Sequence, residues 1–73
     1  MDGFRIRAAR KALGWSVDQL AESSGLGRDT IVRIERNDFT VKVENVNAAE
    51  VALIESGRIK FGRNGAVTIL SIF

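Results

Sequence analysis

Arg28, Arg33 and Arg36 punctuate one short stretch of the chain, with Gly27, Asp29, Thr30 and Val32 among them. A guanidinium is a planar, permanently charged fork. It fits the edge of a guanine or the oxygens of a phosphate, and otherwise sits on a solvated helix face. Asp29 can accept from a cytosine amino group, or suit the positive start of a helix. Other chemistries lack their residues. The sequence has no histidine and no cysteine. That removes the commonest general base, any thiolate nucleophile, any disulfide and the usual zinc ligands. Asp18 and Glu22, four apart, suggest a metal pair only weakly without His or Cys beside them. No catalytic residue, metal or cofactor is expected, and an enzyme is the least supported class.

Composition agrees with a small binding module. Seventy-three residues allow one domain, and 45% apolar residues suit a folded one. A domain this small buries a limited share of its surface, so association with a second copy is favoured. Eleven Lys/Arg against nine Asp/Glu give a net charge of +2. Residues 1–36 hold seven cations against five acids and residues 37–73 hold four of each, so the excess lies with the arginines. No apolar run reaches membrane-spanning length and no leader pattern opens the chain, so a cytoplasmic protein is expected. Proline is absent, and turns must rely on Gly, Asn and Asp.

The elements that must position the arginines can be read in order. Asp2 can cap a helix from about Gly3 to Leu13, with Ile6, Ala9 and Leu13 as an apolar stripe that Phe4 and Ala8 widen. Arg5, Arg7 and Lys11 take the solvated side. Gly14 suits the left-handed position after it. Ser16-Val17-Asp18-Gln19 is a capping box, with Trp15 and Leu20 as its hydrophobic staple, so a second helix opens there and ends near Ser23 or Ser24. In that role Trp15 is a packing residue rather than a platform for stacked bases. Gly25 makes the turn. A third helix follows, about Arg28 to Arg36, with Ile31 and Ile34 inward and Asn37-Asp38 as its break.

After a loop from Phe39 to Val43, a fourth helix spans about Glu44 to Ser56. Val46, Ala49, Val51, Ala52, Leu53 and Ile54 give it a broad apolar face. Gly57 closes it. The period then changes: Arg58–Phe61 and Ala66–Ile72 read as a β-hairpin around the turn cluster Gly62-Arg63-Asn64-Gly65. Val67 and Ile69 lie on one face of its second strand, Leu70 and Ile72 on the other, with Phe73 at the end. These five are the candidate dimerisation residues, because one small core cannot cover both faces. The division expected is 1–57 for the helical unit and 58–73 for the hairpin.

Two helices joined at Gly25, with a small Ala21 at their crossing and the Ile31–Ile34 pair holding the second on the first, make a helix-turn-helix. This geometry presents a recognition helix to a major groove. From Ile6 to Phe61 the chain resembles the lambda-repressor/Cro-like, or XRE, family of transcriptional regulators. The resemblance is carried by Ile6-Arg7-Ala8-Ala9-Arg10, Gly14-Trp15-Ser16, Leu20-Ala21, Gly25-Leu26 and Thr30-Ile31-Val32-Arg33-Ile34-Glu35.

The resemblance implies a mainly α fold of four to five helices, here with a C-terminal hairpin. It also implies operator binding to double-stranded DNA as a homodimer. By it, Gly27, Arg28 and Asp29 face base edges and Val32 meets a thymine methyl. Arg33 meets phosphate or base, and Arg10 pairs with Glu35 to tie the first helix to the third. Thr30 and Arg36 complete the candidate DNA-binding set. Ser16, Gln19, Trp15, Ala21, Gly25, Ile31 and Ile34 are the structural set. The chain departs from the family at Val17, where Gln is usual, and at Gly27, where Ser or Thr often caps the third helix. Asn37-Asp38 replaces the usual Gly and Pro. These departures place more of the recognition on Arg28 and Arg33. The alternative is an antitoxin-like interaction module that holds a partner toxin and binds DNA weakly.

Overall fold

The computed structural model describes residues 3–62 and 67–69. Four helices come first: α1 (Gly3–Ala12), α2 (Val17–Ser24), α3 (Arg28–Glu35) and α4 (Val43–Glu55). Two short strands follow, β1 (Ile59–Phe61) and β2 (Val67–Ile69), paired antiparallel with Ile59 opposite Ile69 and Phe61 opposite Val67. The architecture is the expected mainly helical one with a C-terminal hairpin. Helix limits differ from the sequence reading by about one residue, as fraying ends allow. The Asp2 cap, turn residues Arg63–Gly65, and Leu70, Ile72 and Phe73 lie outside the described residues. Among the described residues no helix is long and apolar enough to cross a membrane.

The core joins every element. Ile6, Leu20, Ile31, Ile34, Leu53 and Ile59 are its largest fully buried side chains. Burying each such side chain contributes about 1.5–3 kcal/mol. Helix α2 packs on α3 and α4, α1 on α3 and α4, and the hairpin on α4 and α1. Ile59 therefore completes the helical core from β1, and half-buried Val67 packs against the same cluster.

Three expectations about faces need correction. On α1 the buried stripe runs through Gly3, Ile6, Ala9 and Arg10, with Leu13 just beyond the helix. Phe4 is 69% exposed and Ala8 is also exposed. A glycine and an arginine occupy the places that an apolar count would assign to larger hydrophobic residues. On α4 the buried face is Val46, Ala49, Ala52 and Leu53, whereas Val51 and Ile54 are 49% and 48% exposed. The neighbours cover one side of α4 only, so the apolar face is wider than its cover. Arg5 is not simply solvated: it pairs with Glu50, and its guanidinium carbon lies 5.2 Å from the centre of the Phe61 ring. That contact ties α1, α4 and β1 together.

Helices α1 and α3 approach each other closely at Gly3. A Cβ on Gly3 would lie 2.1 Å from the carbonyl oxygen of Ile34. Asn37, at φ 59°, ends α3 in the left-handed conformation. Its side-chain oxygen accepts from the Gly3 backbone N–H, so one residue terminates α3 and caps the start of α1.

Candidate nucleic-acid interface

The interface is built from the turn outward. Ser16 Oγ accepts from the Gln19 N–H at 3.1 Å and the Gln19 side chain accepts from the Ser16 N–H at 2.7 Å, fixing the first turn of α2. Gly25 adopts φ 76°, ψ 15° and its N–H donates back to the Ala21 and Glu22 carbonyls. Leu26 N–H donates to Ala21 at 3.1 Å, and the Leu26 side chain packs half-buried on the core. The chain then enters α3 through Gly27 in extended conformation. Ala21 is 7% exposed where α2 meets α3, and Ile31 and Ile34 are both 0% exposed. Each device removes a degree of freedom between the two helices, so α3 is held by its inner face.

The outer face holds the candidate side chains. Gly27, Arg28, Asp29, Arg33 and Arg36 are exposed, and Thr30 and Val32 are half-buried at its edges. On one flank Thr30 and Arg33 line a depression of about 380 Å³ with Thr40, Val41, Lys42, Glu44 and Asn45. On the other, Val32 and Arg36 line one of about 290 Å³ with Arg7, Arg10 and Glu35. Sequence reasoning did not single out Lys42, Thr40 or Asn45. They come to the site only because the loop after α3 folds back beside it. Asp38 shapes that loop by accepting from the Thr40 hydroxyl at 2.6 Å and the Thr40 N–H at 2.8 Å. Those two hydrogen bonds, with a smaller pull from Arg33, hold the Asp38 carboxyl below its ordinary pKa. The turn therefore keeps its acceptor through the neutral range and loses it only as pH falls through that lowered value.

Charge is unevenly spread. Asp18, Glu22 and Asp29 are exposed acids on α2 and at the start of α3, while Arg7, Lys11, Arg33, Arg36 and Lys42 are exposed cations. Arg28 Nε meets Asp18 Oδ1 at 2.9 Å across the α2–α3 junction, with side chains 64% and 75% exposed. Beneath the outer face lies a different pair. Arg10 donates from Nε to Glu35 at 2.8 Å, from Nη2 to its other oxygen at 3.0 Å, and from Nη1 to the Trp15 carbonyl at 2.9 Å. Its two side chains are only 10% and 9% exposed. One pair is structural by burial; the other stands in solvent at the edge of the site.

The start of α3 is open. Gly27 has no side chain to cap it, and a Cβ there would meet nothing within 4 Å. Gly27→Ser is expected to stabilise the domain by about 0.5–1 kcal/mol, from the added cap and a less flexible unfolded chain. Thermal unfolding checks this: the midpoint rises by roughly 2–8 °C for a domain of this size, and an unchanged or lower midpoint counts against the open cap.

The arrangement can do recognition chemistry: a helix pinned by its inner face offers donor forks outward, with further cations on both flanks to meet phosphate. Among the described residues no group of three or more carboxylates is placed to hold a metal ion. Comparison with known proteins agrees with the geometry. A family model described as helix-turn-helix matches residues 6–59, from the first core residue of α1 to the first residue of β1. No curated protein and no solved structure matches the chain.

Proposed function

From the premise that the chain belongs to the lambda-repressor/Cro-like helix-turn-helix family of DNA-binding regulators, we propose that it is a sequence-specific transcriptional regulator working in the cytoplasm as a homodimer. Helix α3 enters the major groove of double-stranded DNA. Gly27, Arg28, Asp29 and Val32 face base edges. Thr30, Arg33 and Arg36 sit at the groove walls, where phosphate is nearest. The observation that carries this reading is the polarity of α3: Ile31 and Ile34 are wholly buried while Arg28, Arg33 and Arg36 all lie exposed.

The homodimer is assigned to the hairpin. Among the described residues the sheet has two strands and both its outer edges are unpaired; pairing with a second copy removes one of them. Val67 already packs on the monomer's own core, so the contribution to a partner falls more on Leu70 and Ile72, which strand alternation assigns to the other face, with Phe73 at the end.

Selection from random duplex DNA at two salt concentrations tests both parts. The expected result is an enriched pseudo-palindrome with half-sites about 34–36 Å apart, bound with an affinity that falls steeply with salt. A single half-site would overturn the dimer. Salt-sensitive binding with no enriched sequence would overturn specific recognition.

One observation favours a second reading, an antitoxin-like module that holds a partner protein. Phe39 is 90% exposed and Val43 74%, and both line one depression with Val41 and Val46. Under that reading the selection returns no site, and a small toxin encoded beside this gene co-purifies with the chain.

A further inference from the structure

We propose that Asp18 sets the base specificity of Arg28: its carboxylate pairs with the Nε edge of the guanidinium, leaving both terminal nitrogens available to a guanine. This deepens the DNA-binding reading and rests on it.

The ion pair joins two rigid points. Asp18 is the second residue of α2, whose first turn the Ser16–Gln19 box pins. Arg28 is the first residue of α3, whose register Ile31 and Ile34 fix. The 2.9 Å contact from Arg28 Nε to Asp18 Oδ1 therefore orients a side chain relative to the recognition helix and not to a loop. Stability does not account for it. With side chains 64% and 75% exposed, such a pair contributes little to folding.

Its geometry suits recognition instead. Guanine takes two donors from arginine, at O6 and N7. Both terminal nitrogens of a guanidinium can supply them while its Nε edge faces a carboxylate. Arginine has a long side chain with many rotamers, and without Asp18 its nearest strong attractor in a groove is phosphate. The carboxylate restricts the rotamers and neutralises the charge that phosphate would attract. Val17, the neighbouring residue, is half-buried against the core and offers no polar group to share the task.

The neighbouring charge points the same way. Asp29, the next residue in the chain and also exposed, adds a second carboxylate beside Arg28, which makes phosphate a poorer partner there. Attraction to the DNA backbone then falls to Arg7, Lys11, Arg33, Arg36 and Lys42. Affinity and discrimination are carried by different residues, which is how an interface rejects wrong partners by repulsion as well as attraction.

The test uses the full chain with Asp18→Asn, alone and combined with Arg28→Ala, on the duplex enriched from random DNA. Relative affinities are measured for all four base pairs at the position that Arg28→Ala relaxes, with thermal unfolding alongside. Asp18→Asn is expected to lower the preference for guanine there about tenfold, within the range one bidentate contact supports. It should also tighten binding to unrelated DNA and leave the unfolding midpoint nearly unchanged. In the Arg28→Ala background it should change the preference no further, and Asp18→Glu should restore part of it. If Asp18→Asn tightens every sequence by one common factor, Asp18 is only a charge and the proposal fails. It fails equally if the preference is unaltered. A wild-type chain with no base preference at all would overturn the DNA-binding reading itself, and this inference with it.

Discussion

Replacing Arg10 with alanine is expected to destabilise the domain by about 3–5 kcal/mol. The reason is what remains. Glu35 would keep a carboxylate whose side chain is 9% exposed, with both oxygens stripped of their donors, and the Trp15 carbonyl would lose the Nη1 donor. A domain of this size has roughly 4–11 kcal/mol of stability in total, so the loss is a large part of it. Thermal or urea unfolding should show a midpoint lowered by roughly 12–40 °C. Replacing both partners by apolar residues of similar volume, Arg10→Met with Glu35→Leu, should recover most of the loss, because neither buried charge is then left alone. If Arg10→Ala unfolds within a few degrees of the wild type, the pair is not buried in solution as it is here.

The contrast with Asp18–Arg28 shows why distance alone decides little. Arg10 Nε lies 2.8 Å from Glu35 and Arg28 Nε 2.9 Å from Asp18. Removing a partner in the first case strands a charge out of water. In the second it returns a charge to solvent. The expected consequences differ accordingly: folding for Arg10, base preference for Asp18.

Features written within one turn of helix were legible in the sequence. The Ser16–Gln19 box and the left-handed Gly25 depend on residues three or four apart, where local geometry follows from residue type. So does the inward direction of Ile31 and Ile34. The helix-turn-helix at the centre of the candidate site is made of these local signals, and for that reason it could be read without coordinates. Contacts between distant elements were not legible in the same way. Arg5 meets Glu50 and Phe61 across three elements, and nothing near Arg5 in sequence distinguishes it from Arg7 or Lys11, which are exposed. Asp18 was read only as a weak metal partner for Glu22, because its contact with Arg28 crosses from one helix to the next and leaves no local mark. Periodicity also overstated the apolar faces of α1 and α4. It reports which side chains are apolar, whereas burial depends on how much of a helix its neighbours can cover.

Gly3 is the position where local and tertiary reasoning give opposite signs, and its substitution is the sharper test of the α1–α3 junction. By helix propensity alone, Gly3→Ala should stabilise α1 by up to about 1 kcal/mol. In the folded domain the added Cβ would lie 2.1 Å from the Ile34 carbonyl oxygen and 3.0 Å from the Glu35 Cα and carbonyl carbon. Those are backbone atoms of α3, which cannot rotate away as the end of a side chain can. Helix α1 must move instead. Such movement weakens the hydrogen bond from the Gly3 N–H to Asn37 and disturbs the buried Ile6 and Arg10 contacts further along the helix. Overpacking of this kind destabilises by about 1–3 kcal/mol, enough to outweigh the propensity gain. The expected outcome is a net loss of about 1–2 kcal/mol in urea unfolding, with Asn37→Gly as a control. That control keeps the left-handed backbone and removes only the acceptor, at about 1 kcal/mol. A stabilised Gly3→Ala domain would mean that the first turn of α1 stands off from α3 in solution. A loss larger than that of Asn37→Gly would locate the constraint in the backbone approach itself, which only glycine permits.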